Sequence, residues 1–478
     1  MSDHINDDGL DIREQDLVLD PSNLEAERHQ VAQRLSELLD SGDDDQLART
    51  AGELSPGDLS EILRPFSVAD TVRVLRQLDA DLLADVLSEI DNRSTSAFFT
   101  LLDHDEIADI LEEMPSDEAT DVIAEMDEES QQAVLEAMEE EEREEVAELL
   151  RYPPESAGGI MGKEVVTCHD EQNCGEAVAG LRESDQDELE DMHFVYVLDD
   201  REHLVGRVPL FKLLLMAPET PIAEAMEPEP LYVEVDLDQE DVAQFMKIHD
   251  LISLPVVDHR HRLVGQITAD DVLEVLEEEA TEDMAHMAGV SVKEFGEQSP
   301  LRVARSRLPW LLGGLAGQIG AILVLQRFEA SIASMVTLAF FIPVIMAMAG
   351  NVGIQTSSVV VRGLATGEVD YYHLGRHLLR ELVTSLLVGF VVGLCLYLIC
   401  GVVVGDMSLA LVLALSMLLV IIFAATVGTG IPLLLHRLGA DPAVATGPFI
   451  TTANDIFGLL IYLGLATLFL QLGAGGPA

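Results

Sequence analysis

Lysine is nearly missing from this 478-residue chain, occurring only at positions 163, 212, 247 and 293. With arginine the bases number 27 against 86 acids, a formal net charge of −59 at pH 7. A surface this negative excludes nucleic acid as a partner, because neutralising phosphates takes clusters of lysine and arginine and the sequence has none. Cysteine is scarce too, at 168, 174, 395 and 400. The first pair lacks the second CxxC or histidine cluster that zinc requires, and the second pair lies in an apolar run. The expectation is buried thiols, with no disulfide and no metal on sulfur. The first 30 residues have no apolar core of the signal-peptide kind and read as an acidic tail, so the N-terminal part is expected in the cytoplasm.

Charge of either sign is rare beyond residue 300. Residues 301–478 carry 7 acids and 8 bases, which leaves 79 acids and 19 bases for residues 1–300. Such an acid excess with so little lysine resembles proteins adapted to a salt-saturated cytoplasm, where carboxylates hold a hydrated surface. In the C-terminal part, uncharged runs cover 308–326, 330–361, 382–405 and 407–435, then 442–478 broken only by Asp455. Each meets or approaches the roughly 20 residues a membrane-crossing helix needs. Five spans follow. Arg302, Arg305 and Arg307 precede the first, Arg362, Arg376 and Arg380 separate the second and third, and Arg437 follows the fourth. The other links lack Lys and Arg apart from Arg327, which places the N-terminus inside and the C-terminus outside.

The polar residues within these spans need a reason, because lipid supplies none. Span two, FIPVIMAMAGNVGIQTSSVVVRG, carries Pro343, Gly350, Asn351, Gly353, Gln355, Thr356, Ser357 and Ser358. Small residues let helix backbones approach, and amides or hydroxyls bond across helices or face water. Asp455 is sharper, since a carboxylate at membrane depth costs about 3 kcal/mol. The spans hold no base at that depth, so its natural partner is a cation from outside the sequence. Thr451 stands one helical turn before it and Gly447 two turns before, which puts oxygens of all three on one face. Pro448 removes a backbone donor and is expected to loosen the span there. Oxygen ligands suit Mg2+, which keeps several waters and takes one or two carboxylates, while Mn2+ and Ca2+ remain compatible.

The acidic half is periodic. An apolar residue recurs at 54, 66, 78, 90, 102, 114, 126, 138 and 150, with an apolar pair eight positions on, as in Ile62-Leu63, Val74-Leu75, Val86-Leu87 and Phe98-Phe99. Units of 12 residues that begin with cap-type residues predict short stacked helices of a solenoid, not a coiled coil. A second duplication sets VYVLDDREHLVGRV (195–208) against LPVVDHRHRLVGQI (254–267), each a strand, a polar turn and a strand. These look like tandem CBS modules, which bind regulators and do not catalyse. Thr268-x-x-Asp271 resembles the ribose-contacting signature of nucleotide-binding modules, so ATP is a candidate ligand of the second module; the first has Pro209 and Lys212 in that region.

Taken in order, the solenoid, ESAGGIM (155–161), the CBS pair, LEEEATEDM (276–284), PVIMAMAGNVGIQ (343–355) and GPFITTANDIFGLLIY (447–462) resemble the MgtE magnesium transporters over roughly residues 50–472. The resemblance implies a multidomain fold: an acidic flexible tail (1–45), an all-α superhelical domain (46–152), an α/β CBS pair (153–216 and 217–276), a connecting plug helix (277–300) and a five-helix transmembrane domain (301–478). It implies a homodimeric, Mg2+-selective channel of the plasma membrane that admits Mg2+ and is closed by Mg2+ bound between its cytoplasmic domains. Carried over by position, the pore carboxylate is Asp455, with Thr451 and Gly447 at neighbouring pore levels and Asp441 near the cytoplasmic entrance. The sensing acids are Asp117 and Asp121 in the solenoid, Asp238, Glu240, Asp250 and Asp271 in the second CBS module, and Glu279 and Glu282 on the connecting helix. The chain departs from the commoner family pattern at Ala349 and Ile354, and Gly447 lacks the Asn side chain of some relatives, leaving its carbonyl as the expected contact.

In molar salt the Debye length is about 3 Å, so diffuse repulsion among surplus acids is screened and only acids touching one shared ion can sense it. Neutralising Asp250 with Glu282 is therefore expected to shift closure, and neutralising the acids at 43–45 is not. Three rivals remain. An intramembrane aspartyl protease needs two aspartates at membrane depth and finds only Asp455. A receptor without transport leaves the polar second span unexplained. A carrier exchanging Mg2+ for Na+ or H+ differs in how flux follows the gradients.

Overall fold

The computed structural model describes residues 21–90, 92–182, 192–294, 299–366, 374–445 and 447–474. Packing divides the chain into two units, Met1–Val242 with His249–Asp271, and Ala243–Ile248 with Val272–Ala478.

The first unit opens with ten helices: α1 (Pro21–Ser41), α2 (Asp44–Ala51), α3 (Pro56–Leu63), α4 (Val68–Leu75), α5 (Ala80–Glu89), α6 (Asn92–Phe99), α7 (His104–Leu111), α8 (Ser116–Ala124), α9 (Glu128–Ala137) and α10 (Glu140–Leu149). From α2 onward each begins 12 residues after the last. The residue before the helix does the starting: Asp43, Ser55, Ser67, Asp79, Asp103 and Asp127 each accept a backbone N–H of the first turn. The recurring pairs Ile62-Leu63, Val74-Leu75, Val86-Leu87, Phe98-Phe99 and Ile110-Leu111 line one continuous core. No eight-residue helix buries its own stripe, so stacking supplies the burial.

The expected tail of residues 1–45 needs correction. Its first twenty residues lie outside those described, but 21–41 form α1, whose Leu35, Leu38 and Leu39 enter the solenoid core. Arg28 also bonds Asp58 at 2.7 Å. Asp43, within the same stretch, caps α2.

The CBS pair repeats one topology. A four-stranded sheet holds β1 (Thr167–His169), β2 (Phe194–Leu198), β3 (Leu204–Pro209) and β4 (Glu227–Pro228), and a three-stranded sheet holds β5 (Val233–Glu234), β6 (Ser253–Val257) and β7 (Leu263–Thr268). In both a parallel pair adjoins an antiparallel hairpin, and the register slips at equivalent points, Val197/Leu198 and Val256/Val257. The two hairpin turns are built alike: Asp199 accepts from the backbone N–H of Arg201 and His203, and Asp258 from those of Arg260 and Arg262. Glu202 and His261 each take φ 65° to close them. Helices α11 (Cys174–Leu181), α12 (Leu210–Leu215), α13 (Ile222–Ala225) and α14 (Gln239–His249) complete the pair.

Helix α15 runs unbroken over Ala269–Ala288, so the connecting helix starts eight residues earlier than the expected boundary at 277, and 295–298 lie outside the described residues. Asp271 starts it by accepting the N–H of Thr268 at 2.7 Å.

The second unit carries α16 (Pro300–Arg327), α17 (Glu329–Ser334), α18 (Thr337–Ala365), α19 (Leu374–Val403), α20 (Met407–Arg437) and α21 (Pro448–Ala474). All but the short α17 are long and apolar enough to cross a membrane. Glycine brings them close. A Cβ on Gly353 would fall 2.1 Å from Asn454 Nδ2, and one on Gly428 would fall 2.6 Å from the Gly353 carbonyl, so α18, α20 and α21 meet at backbone distance. Cys395 is exposed on α19, unlike the other three cysteines, because it faces outward from this bundle.

Candidate functional site

The carboxylate in α21 lies where that helix closely approaches α16 and α18. Asp455, two turns into α21, is 7% exposed. Its Oδ2 accepts a hydrogen bond from Gln318 Nε2 of α16 at 2.6 Å. The partner expected from outside the sequence thus has an internal neighbour: an amide that donates without cancelling the charge. Asn454 beside it is fully buried and gives Nδ2 to the Ala349 carbonyl at 3.2 Å, while its Oδ1 has no partner among the described residues.

One turn toward the N-terminus, half-buried Thr451 donates Oγ1 to the Gly447 carbonyl at 3.1 Å, and its N–H points to the same oxygen at 3.3 Å. That carbonyl, expected as the pore contact, is engaged in starting the helix. Pro448 does not loosen the span, because it stands at the first position of α21, where a missing N–H costs nothing. The alignment of 447, 451 and 455 along one helix face follows from their four-residue spacing.

The end of α15 lies against the start of α21 and the loop before it. A Cβ on Gly447 would come 3.2 Å from the Met287 carbonyl. His286 Nδ1 lies 2.7 Å from Asp441 Oδ2, and its Nε2 lies 3.6 Å from Glu282 Oε1. Burial, then the Asp441 charge, pushes the Asp283 carboxyl up to about 6. Glu279 lies half-exposed one turn before, and Asp441 also accepts the Ala443 N–H at 2.7 Å.

In the first unit the acids converge at the start of α8. Ser116 gives its N–H to Glu164 Oε1 at 2.8 Å, which seats a carboxylate on the helix N-terminus. Burial, followed by the charges of Asp271, Glu164 and Glu118, holds the Asp117 carboxyl well above its usual range. Burial and Glu164 likewise push Glu145 up to about 7 against the opposing Lys163, whose Nζ pairs with Glu148 at 2.9 Å. Asp117 and Asp271 are therefore brought into one electrostatic neighbourhood. Asp121 is exposed one turn along α8, Asp238 accepts the Glu240 N–H at 3.0 Å, exposed Glu240 opens α14, and Asp250 follows α14 at φ 50°. Among the described residues no three acids, histidines or cysteines close into a metal cage.

These raised carboxyls set a pH dependence. A folded value above the unfolded one favours the folded state fully below the ordinary carboxyl range, and that contribution is lost as pH rises through the folded value, about 7 for Glu145. Without Mg2+, the melting temperature of the full chain in detergent is expected to fall by about 2–4 °C between pH 6 and 8. Glu145→Gln should flatten that slope; an equal slope in both proteins would remove Glu145 as its source.

Residues 342–465, which contain this carboxylate, match the family profile of MgtE, a divalent cation transporter. Residues 54–155 match the MgtE intracellular N domain, and 222–278 a CBS domain. The magnesium transporter MgtE of Thermus thermophilus is 36% identical over 327 residues, covering 68% of this chain and 72% of that one. This chain belongs to the MgtE family. The magnesium transporter MgtE of Enterococcus faecalis is also 36% identical, over 324 residues that cover 68% of this chain and 71% of its own. A solved cytosolic domain of the Mg2+ channel MgtE in complex with ATP is 32% identical, covers 51% of this chain and 99% of that domain, and superposes with a TM-score of 0.48.

In this member of the MgtE family, sequence reasoning passed over two residues. Gln318 is a lone amide in GGLAGQIGA, a signal of the same kind as the polar residues of span two, but nothing in the sequence ties it to Asp455, 137 positions away. His286 sits four residues after Glu282, the spacing that puts both on one helix face.

Proposed function

We propose that this protein is a homodimeric, Mg2+-selective channel of the plasma membrane, with its N-terminus in the cytoplasm and its C-terminus outside, that admits Mg2+ and closes when Mg2+ occupies acids of its cytoplasmic half. The observation that carries this reading is Asp455, buried in α21 with a neutral amide, not a base, as its side-chain hydrogen-bond partner. A charge kept in such a place serves an ion that passes. In a two-fold dimer two copies of Asp455 face one hydrated Mg2+, from whose waters the carboxylates accept hydrogen bonds, with Thr451 and Gly447 at the neighbouring levels and Asp441 near the cytoplasmic entrance. The acidic solenoid, the CBS modules and helix α15 form the sensor.

Closure acts at the end of α15. Mg2+ held among Asp117, Asp121, Asp238, Glu240, Asp250, Asp271, Glu279 and Glu282 favours the state in which Met287 and His286 lie against Gly447 and Asp441. Loss of the ion leaves the acids to repel one another at contact range and frees the mouth. ATP is the nucleotide read for the second CBS module, through Thr268 and Asp271.

A coupled carrier is distinguished from a channel by reversal potentials. In proteoliposomes with opposed Mg2+ and Na+ or H+ gradients, the reversal potential of the channel follows Mg2+ alone. A potential that moves with the Na+ or H+ gradient would establish exchange instead.

A further inference from the structure

We propose that Gln318 sets the ion preference of the pathway by occupying one oxygen of Asp455 and leaving the other to face the ion. This rests on reading Asp455 as the carboxylate that meets the passing ion. Gln318 lies midway along α16, on the stretch where that helix has its smallest residues, and the crossing with α21 is closest on either side of it. A Cβ on Gly317 would lie 2.2 Å from Thr452 Cγ2, and one on Gly320 would lie 2.7 Å from Ile456 Cδ1. With no side chain to hold the backbones apart at 317 and 320, the side chains of 318 and 455 meet directly, at 2.6 Å.

The chemistry of that contact is one-directional. An amide has two donors on nitrogen and an acceptor on oxygen, and only the nitrogen complements a carboxylate. Gln318 therefore spends its donor on Oδ2. Oδ1 accepts no hydrogen bond among the described residues. A base in place of Gln318 would fix the same oxygen and cancel the charge that attracts the ion. The amide fixes the oxygen and leaves the charge.

A carboxylate with one committed oxygen offers a single contact. That suits Mg2+, which keeps its waters and needs only an acceptor for one of them, and it disfavours Ca2+, which sheds water more readily, accepts six to eight oxygens and takes both from one carboxylate. Freed from Gln318, Asp455 presents both oxygens and becomes a better partner for Ca2+.

The test uses the full chain in proteoliposomes, with Mg2+ and Ca2+ influx measured side by side for the native protein, Gln318→Leu, Gln318→Asn and Asp455→Ala. Leucine removes the amide, and asparagine keeps it one methylene too short to reach. Both Gln318 variants are expected to lower the Mg2+ to Ca2+ influx ratio about tenfold, and Asp455→Ala to lose both fluxes. An unchanged ratio in the Gln318 variants, whether the two fluxes persist or fall together, overturns the selectivity role, because a packing defect lowers both ions alike. Native influx in Asp455→Ala overturns the underlying reading of Asp455 instead. If Gln318→Leu does not fold, the ratio in Gln318→Asn decides.

Discussion

Asp455→Asn is expected to reduce Mg2+ uptake at least about a hundredfold in cells lacking their own magnesium transporters, with the protein still present in the membrane. The substitution is chosen because it keeps the shape and an oxygen for Gln318 Nε2, which now bonds Asp455 Oδ2 at 2.6 Å, and removes only the charge. Asp455→Ala would also strand the buried amide, mixing a folding cost with the loss of the ion's partner. A factor of a hundred corresponds to about 2.7 kcal/mol of lost attraction for a divalent ion, which is modest for a carboxylate in a site poor in water. Uptake within a few-fold of native would show that the ion does not depend on this charge. The membrane fraction, probed by antibody and by melting temperature in detergent, separates lost transport from lost protein.

The second large effect concerns sensing. Replacing Asp250 by Asn together with Glu282 by Gln is expected to raise the Mg2+ concentration that closes the protein about tenfold, since each pair that shares an ion contributes on the order of 1.4 kcal/mol. Removing two equally acidic but uninvolved charges should leave closure where it was when the assay is run in molar salt, which screens them within about 3 Å. Positions 43–45 make an unsuitable control, as Asp43 caps α2 and Asp44 lies 3.7 Å from Arg73. Asp45→Asn with Glu53→Gln, both exposed, replaces them. Equal shifts in the two double variants, read as Mg2+ protection of α15 from protease in the intact protein, would mean that bulk charge drives the response.

What the sequence disclosed follows from how locally each feature is encoded. The 12-residue interval of the solenoid is written twice, in its caps and in its apolar pairs, and the helices start at that interval. The CBS duplication is likewise local, down to Asp199 and Asp258 closing matching turns. Helix α1 escaped because it precedes the periodic stretch and buries one leucine face among many acids, so composition outweighed pattern. Pro448 departs from expectation for a different reason: whether a proline loosens a helix or starts one depends on a boundary that an apolar run does not mark. The pairing of Gln318 with Asp455 joins residues 137 positions apart and depends on the glycine crossing, which only three-dimensional packing reveals.

Crystals of the full chain grown with Mn2+, a stand-in that scatters anomalously, would place the ion directly. A peak about 4 Å from the Asp455 carboxylate, at water-mediated range between two subunits, and lost in Asp455→Asn, is the expected result. Ions found only among the cytoplasmic acids, with Asp455 turned to lipid or away from any passage, would contradict it.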